Sequence, residues 1–155
     1  MPLPATAQLF HQSPHPLLMP PPISCLSQLL RAIEPVLHEG VYVYATLPPG
    51  VAAAGHEPIA SFHEEEGMTL ILEEGQAQQA KLQPLFRASW ITLRVHSALQ
   101  AVGLTAAVAT TLAEAGISCN VVAAAFHDHL FVPVESANAA MVALKQLQAR
   151  NQATV

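Results

Sequence analysis

Residues 90–134, WITLRVHSALQAVGLTAAVATTLAEAGISCNVVAAAFHDHLFVPV, decide the fold class. Residues 90–95 are rich in β-branched and aromatic side chains, which predicts a strand. Apolar residues then recur at helical spacing between Leu104 and Ala115. Gly116 follows as a typical helix C-cap. A strand followed directly by an amphipathic helix is therefore the first element pair that this chain predicts.

A hairpin and a second helix follow this pair. Residues 117–125 and 129–134 form two apolar runs that turn at residues 126–128, with Asp128 as a turn former. Ser136 is positioned to cap a last helix. The apolar positions of that helix recur on one face, at Ala137, Ala140, Leu144 and Leu147. The second half thus has the order β-α-β-β-α, which is typical of an α+β domain.

The first half opens with another amphipathic helix. Ser24 is its predicted cap, and Pro35 should kink its last turn before Gly40 ends it. Its apolar stripe consists of Leu26, Leu29, Leu30, Ile33 and Leu37. Residues 41–47 alternate β-branched and aromatic side chains, which predicts the strand that follows.

A shorter version of the same pattern completes the first half. Residues 48–58 are a loop, residues 59–64 and 68–73 form a hairpin around 65–67, and residues 75–82 form a short helix. The sequence strand, turn, strand, helix therefore occurs in both halves, which predicts two related α+β units. Each unit would have helices on one face of an antiparallel sheet, and the two sheets could pair at their edges.

Composition restricts the partners of the chain. Only 11% of its 155 residues are charged, 52% are apolar, and the formal net charge is -5. The six basic residues are scattered, so nucleic acid is not an expected partner. Seven of the 13 prolines fall within residues 1–22, which predicts a disordered tail. Alternatively, Met19 is the true start of translation, and the residues before it result from a wrongly assigned start codon.

Location and redox state follow from similar patterns. Cys25 and Cys119 are far apart and lie in no CxxC or Cys/His cluster, so we expect neither a disulfide scaffold nor a zinc site. No apolar run is long enough to cross a bilayer, and the N-terminus lacks the features of a secretory signal. We therefore expect a cytoplasmic protein without a membrane partner.

Catalytic motifs are absent from the sequence, so we expect no enzyme. Residues 127–129, His-Asp-His, place two imidazoles on one side of a strand, but a third metal ligand is missing nearby. We favour a turn with structural histidines over a metal site. Similarly, we favour a solvated hairpin tip over a cation site for Glu64, Glu65 and Glu66. Gly103 has two open interpretations: its backbone admits a ligand carboxylate at a helix N-terminus, or it relieves steric crowding in a tight loop.

These segments resemble the ACT domains, which are small-molecule-sensing modules of amino-acid metabolism. The likeness is strongest over residues 90–134 and extends to residues 36–44 and 64–70 in the first half. It is closest to a group of small bacterial proteins of uncharacterised function that contain two ACT-like units. The resemblance implies two ferredoxin-like βαββαβ units with antiparallel sheets joined side by side.

The resemblance also implies a division of the chain. Residues 1–22 would be the tail, 23–85 a first unit, 86–150 a second ACT domain, and 151–155 a flexible C-terminus. The first unit is predicted to be degenerate, because residues 48–58 leave no room for its first helix.

Effectors of ACT domains bind between units, which implies a set of ligand-binding positions here. Carried over residue by residue, these positions are Val102, Gly103, Leu104 and Thr105, with Asn120 and Val121 opposite. A ligand carboxylate would bind at the helix N-terminus, and Glu64 or Asp128 of a neighbouring unit could pair with an α-amino group. No cofactor or metal is implied.

Three hypotheses follow for the function. The first is a non-catalytic sensor of an amino-acid-like ligand, acting as a homodimer, in which Gly103→Trp should abolish binding and leave folding intact. The second is a ligand-free oligomerisation module, since low charge and open sheet edges favour association. The third, an enzyme that uses residues 127–129, has the least support.

Overall fold

The computed structural model describes residues 20–53 and 55–153, so most of the predicted tail and the last two residues lie outside it. Its helices are α1 (Leu26–Ala32), α2 (Glu74–Gln79), α3 (Leu104–Glu114) and α4 (Ala137–Gln152), with a 3-10 turn at Val134–Ser136. Its strands are β1 (Pro35–Leu37), β2 (Tyr42–Leu47), β3 (Ala60–Glu64), β4 (Gly67–Glu73), β5 (Phe86–Leu93), β6 (Asn120–Ala123) and β7 (Asp128–Pro133).

These strands form one antiparallel sheet with the order β3-β4-β2-β5-β7-β6, to which β1 is added beside β5. Strand β5 joins the two halves. Its start pairs with β2, where Phe86 lies opposite Tyr44, and its end pairs with β1, where Leu93 lies opposite Pro35. On its other side β5 pairs with β7 along residues 88–93. The two predicted sheets are therefore joined side by side through a shared strand.

The second unit has the predicted order, and its α+β architecture is confirmed. β5, α3, β6, β7 and α4 follow one another along the chain, and β6 and β7 pair as the expected hairpin. β1 completes this half of the sheet from the other side of β5. The first unit has two strands and α2 after β2, and residues 48–53 and 55–59 contain no helix, as its degenerate pattern predicted.

The prediction of a single helix from Leu26 to Leu37 is wrong. α1 ends at Ala32, and Pro35–Leu37 form β1. Pro35 explains the change, because proline has no backbone N–H and disfavours helical geometry at the residue before it. The extended chain then pairs with β5. Cys25, not Ser24, occupies the N-cap position of α1.

Other elements differ from the predictions at their ends. β5 begins at Phe86, four residues before the predicted start, because Phe86 and Ala88 pair with β2. β6 covers only Asn120–Ala123 of the predicted run 117–125. α4 continues through Gln152, into the segment 151–155 that was predicted as a flexible C-terminus, and the Gln152 amide donates a hydrogen bond to the Arg31 carbonyl. Ser136 is the residue before α4, but its side chain makes no capping hydrogen bond.

The helices cover one face of the sheet, where the main core lies. In the second half, α1, α3 and α4 enclose a fully buried cluster with the inward residues of β5 and β7, among them Leu29, Ile91, Leu112, Leu130 and Leu144. In the first half, Ala77 of α2 packs with alternate residues of β2 and β4. The intervening residues of the strands form a third cluster on the opposite face, which contains no helical residue: Ile71, Ala88 and Phe131, with Tyr44, Ala60, Phe86, Trp90 and Val122.

α1 packs with the second unit, although in the chain it belongs to the first. Its Leu29 and Ile33 are fully buried in the cluster formed by α3, α4, β5 and β7. The segment before α1 is held there too, because the Ile23 backbone N–H donates to the His96 carbonyl at 2.8 Å and the Ala98 N–H donates to the Ile23 carbonyl at 2.9 Å. No helix among the described residues is long and apolar enough to cross a membrane.

Candidate functional site

The N-terminus of α3 is the first component of the candidate site. Gly103 is its N-cap residue, with φ +103°, a conformation that side chains other than glycine rarely adopt. The backbone N–H groups of the first helical turn have no partner within the helix, so this end carries a partial positive charge. The helix therefore offers donors and a favourable field to an anionic group.

The space around Gly103 is partly occupied by α1. A Cβ atom built on Gly103 would lie 2.8 Å from Cδ2 of Leu26, too close for two carbon atoms. The φ angle therefore favours glycine, and a Cβ at this position would require the Leu26 side chain to shift. That Gly103→Trp leaves folding intact stays a prediction, and the larger side chain would have to be accommodated next to Leu26.

A cavity of about 50 Å³ lies beside this helix end. It is bounded by the segment after β5, the start of α3 and the facing ends of β6 and β7. Its lining residues are Ser97, Ala98, Leu99, Ala101, Leu104, Thr105, Ala123 and Asp128. Since about 10–15 Å³ suffices for one water molecule on this measure, the cavity holds a few waters or a small polar head group.

Asp128 gives the cavity its negative charge. It is only 6% exposed, and its Oδ2 accepts a hydrogen bond from the Ser97 hydroxyl at 3.1 Å. A hydroxyl donor carries no charge, so this contact orients the carboxylate without neutralising it. The prediction of Asp128 as a turn former is wrong, because Asp128 is the first residue of β7 and pairs with Leu93 and Ala123.

Two exposed apolar side chains lie beside the cavity. Leu99, which lines it, is 68% exposed, and Val102, next to the α3 N-cap, is 84% exposed. Exposed apolar side chains of this size next to a polar cavity are typical of a surface that another group covers.

The structure brings together only some of the predicted site residues. Leu104 and Thr105 line the cavity, while Val102 and Gly103 lie directly before the start of α3. Val121 packs towards the helical face of the sheet. Asn120 pairs with Phe131, whose side chain lies in the cluster on the opposite face, so Asn120 is directed away from the cavity.

Several lining residues were not predicted. Ser97 and Ala98 follow the end of β5, and Ala123 is the last residue of β6; none of them carries a motif. Asp128 was considered only as a contribution from a neighbouring unit, yet the Asp128 of this chain reaches the cavity. The two-residue periodicity of β7 provides a signal for this, since it places Asp128 on the same face as the buried Leu130.

The other acidic and histidine-rich segments do not form a comparable site. Glu64 ends β3, and Glu65 and Glu66 form an exposed turn, as expected for a solvated hairpin tip. In residues 20–53 and 55–153, no group of three or more His, Cys, Asp or Glu is arranged to hold a metal ion.

Comparison with protein families agrees with this architecture. An ACT-domain model matches residues 21–89, and a second ACT-domain model matches residues 86–146. The two matches cover most of the chain and overlap at the start of β5, the strand that the two halves share. The chain belongs to the ACT-domain family.

Several solved structures are similar to the chain. A protein of unknown function from Vibrio cholerae, described as a possible transport protein, is 49% identical, with a TM-score of 0.72 over 79% of this chain and 95% of that one. A protein from Agrobacterium tumefaciens is 20% identical, with a TM-score of 0.62 over 75% and 89% of the two chains.

The regulatory subunit of aspartate kinase from Thermus flavus is a third similar structure. It is 16% identical to this chain, with a TM-score of 0.59 over 75% of this chain and 98% of that one. At this identity the likeness shows a common fold. No curated protein matches the chain.

Proposed function

We propose that this tandem ACT protein is a regulatory module that binds a small amino-acid-like ligand in its second unit. One observation carries the proposal: the buried Asp128 carboxylate and the N-terminal turn of α3 line the same cavity. These two groups have opposite polarity. An α-amino acid at neutral pH carries the complementary pair of charges on adjacent atoms.

The proposed binding mode follows from these charges. The ligand carboxylate accepts hydrogen bonds from the free backbone N–H groups at the start of α3, where the helix dipole favours an anion. The ligand ammonium group donates to Asp128, whose orientation is fixed by Ser97. A cavity of about 50 Å³ has room for this head group alone, so the ligand side chain would extend outwards past Leu99.

A second ACT unit would complete this site. Leu99 and Val102 are 68% and 84% exposed, and a unit that packed on them would cover the ligand side chain and exclude water. We therefore place the ligand between units of a homodimer. The first unit lacks a described helix between β2 and β3, so it offers no equivalent helix end for a carboxylate.

The family supports a regulatory role rather than catalysis. The similar structure from Thermus flavus is a regulatory subunit, and the one from Vibrio cholerae is described only as a possible transport protein. We propose that ligand binding in this chain changes its association with another protein in the cytoplasm, without a chemical reaction at the site.

A thermal-shift screen against the twenty amino acids tests the proposal, since a ligand that binds only the folded protein raises its midpoint by mass action. Asp128→Asn keeps the side-chain shape and an acceptor for Ser97 but removes the charge. We expect this variant to bind the responding amino acid about tenfold or more weakly, as for the loss of a charged hydrogen bond. Glu114→Gln, which removes an exposed charge from the other end of α3, is the matched control and should retain binding.

The alternative of a ligand-free oligomerisation module also has support. Phe62, Leu99, Val102 and Phe126 are large apolar residues that are 45–84% exposed, which suits a self-associating surface. That function predicts a stable dimer on sizing and no thermal response to any amino acid. A response that is equal in the wild type and Asp128→Asn would contradict the proposed site and leave the family assignment intact.

A further inference from the structure

A second polar cluster lies on the sheet face that carries no helix. It consists of His38 after β1, Trp90 and Thr92 of β5, and His129 of β7. The ring of His38 stacks on Trp90, with centroids 3.6 Å apart and planes inclined by 11°. None of these four residues belongs to the cavity at α3.

Three hydrogen bonds connect the polar side chains of this cluster. The Trp90 indole Nε1 donates to Nδ1 of His129 at 3.1 Å, so this Nδ1 is an acceptor and the ring proton resides on Nε2. The Thr92 Oγ1 lies 3.0 Å from the same Nδ1 and 2.7 Å from Nε2 of His38. The Thr92 hydroxyl therefore bridges the two imidazoles, and the tautomers of the rings set the donor in each contact.

Burial is the main cause that lowers the pKa of His38 and the pKa of His129, and the nearby His127 and His38 lower the pKa of His129 further. A permanent positive charge beside the cluster comes from another side chain.

Arg94 supplies that charge. Together with Val36, His38, Thr92 and His127 it lines an open cavity of about 350 Å³. Among the described residues, the Arg94 guanidinium has no carboxylate within ion-pair distance and no hydrogen-bond acceptor. Glu34 is the nearest acidic residue in register, because the Arg94 N–H donates to its carbonyl at 2.8 Å, yet the two side chains do not pair.

Arg87, on the same strand, shows the contrast. Its Nε and Nη2 donate to the two carboxylate oxygens of Glu74 at 2.6 and 3.1 Å, so its charge is already compensated. Arg94 instead has no such acceptor and lines a cavity whose wall also includes two imidazoles and a hydroxyl. Guanidinium and imidazole donors that converge from several elements are suited to a tetrahedral oxyanion.

We infer that the cavity lined by His38, Thr92, Arg94 and His127 binds a phosphate group. Arg94 provides the permanent charge, the imidazoles of His38 and His127 line the same cavity as polar partners for the anion, and the contact with Thr92 holds His38 in place. The site lies on the opposite face of the sheet from Asp128, so it takes a different ligand from the one proposed for α3.

NMR titration of the full chain with inorganic phosphate tests this inference, with histidine Hε1 shifts as the readout and sodium chloride of equal ionic strength as the reference. We expect saturable shifts at His38 and His127 in the wild type. Arg94→Gln should lower the affinity for phosphate about tenfold. Lys145→Gln, which removes an exposed positive charge from α4, should bind like the wild type.

Glycerol phosphate, titrated in the same way, identifies the source of the group. Tighter binding than phosphate would indicate a phosphate ester as the ligand, and equal binding would indicate that the free ion is sufficient. Shifts that chloride reproduces, or equal affinity in Arg94→Gln and the wild type, would overturn the inference. Arg94 is exposed and makes no ion pair among the described residues, so we expect Arg94→Gln to unfold at the same urea concentration as the wild type. This midpoint confirms that the variant is folded.

Discussion

Leu26 of α1 packs directly against Gly103 at the start of α3, where a glycine Cβ would lie 2.8 Å from the Leu26 side chain. This contact joins two segments that are far apart in the sequence, α1 of the first unit and the start of α3 in the second. It places the N-terminal helix next to the candidate ligand site. The site thus lies in contact with the N-terminal end of the first unit.

Gly103→Ala tests this contact. It introduces a Cβ both at a φ of +103° and against Leu26, so we expect destabilisation of about 2–3 kcal/mol in urea unfolding. Gly116→Ala is the matched control, since Gly116 also has a positive φ of +71° but has no atom within 4 Å of its Cβ position. It should cost about 1 kcal/mol.

Removal of the Leu26 side chain should partly reverse the effect of Gly103→Ala. In a double-mutant cycle, Leu26→Ala with Gly103→Ala should show a favourable coupling of about 1 kcal/mol, because the steric conflict needs both side chains. Equal costs for Gly103→Ala and Gly116→Ala, without coupling, would show that Leu26 does not restrict Gly103.

The second unit should not fold without the N-terminal segment. A fragment of residues 86–153 lacks β1 and α1, whose Leu29 and Ile33 are fully buried against α3 and α4. We expect no cooperative thermal transition by circular dichroism for this fragment, and a transition close to the wild type for residues 20–153. A cooperative transition in the shorter fragment would show that the second unit is independent.

The histidine cluster should make stability depend on pH. Burial lowers the folded-state pKa of His129, so the unfolded chain binds the proton more readily. Its contribution is present above the unfolded-state pKa of about 6.5 and is lost as pH falls from there towards the folded pKa. His129→Asn retains an acceptor for Trp90 without titrating, and should flatten the decrease in urea midpoint between pH 7.5 and pH 5.

His63→Asn is the control for this pH series. His63 is an exposed residue of β3, so its replacement should leave the pH dependence as in the wild type. If His129→Asn and His63→Asn showed the same profile, the buried cluster would not be the source of the pH dependence.

The two cysteines should react at very different rates with iodoacetamide. A hydrogen bond with the Ser27 hydroxyl is the main cause that lowers the pKa of the exposed Cys25, whereas burial raises the pKa of Cys119 to about 11. At pH 8 we expect Cys25 to react ~100-fold or more faster, because the thiolate is the nucleophile. Cys25→Ser should remove the fast phase in a mass-spectrometric time course, and a remaining fast phase would contradict this assignment.

The sequence predicts the second unit well because local signals agree there. The helical spacing from Leu104, the cap glycine Gly116 and the alternation along β7 each favour one element, and the apolar stripe of α4 faces the core at all four predicted positions. The failure at Pro35–Leu37 has a different origin. These residues form a strand because β5 has an unpaired edge, which is a property of the assembled sheet and not of the segment.

The candidate site was only partly predictable for the same reason. Gly103, Leu104 and Thr105 form one local motif, so the sequence could indicate the helix end. Asp128 reaches that end because β7 pairs with β5 in a register that brings it beside Ser97. Asn120 faces the other side because it lies opposite Phe131 in the β6–β7 pairing, whereas Ala123 lies opposite Asp128 and faces the cavity. Register of this kind is set by long-range pairing.

Backbone amide NMR during titration with the amino acid that responds in the thermal screen tests the central proposal most directly. We expect the largest shifts at the N–H groups of Leu104 and Thr105 and at Asp128. Binding should be about tenfold or more weaker in Asp128→Asn and unchanged in Glu114→Gln. Shifts located elsewhere in the chain, or equal affinity in Asp128→Asn and the wild type, would contradict the proposal that this cavity binds an amino-acid-like ligand.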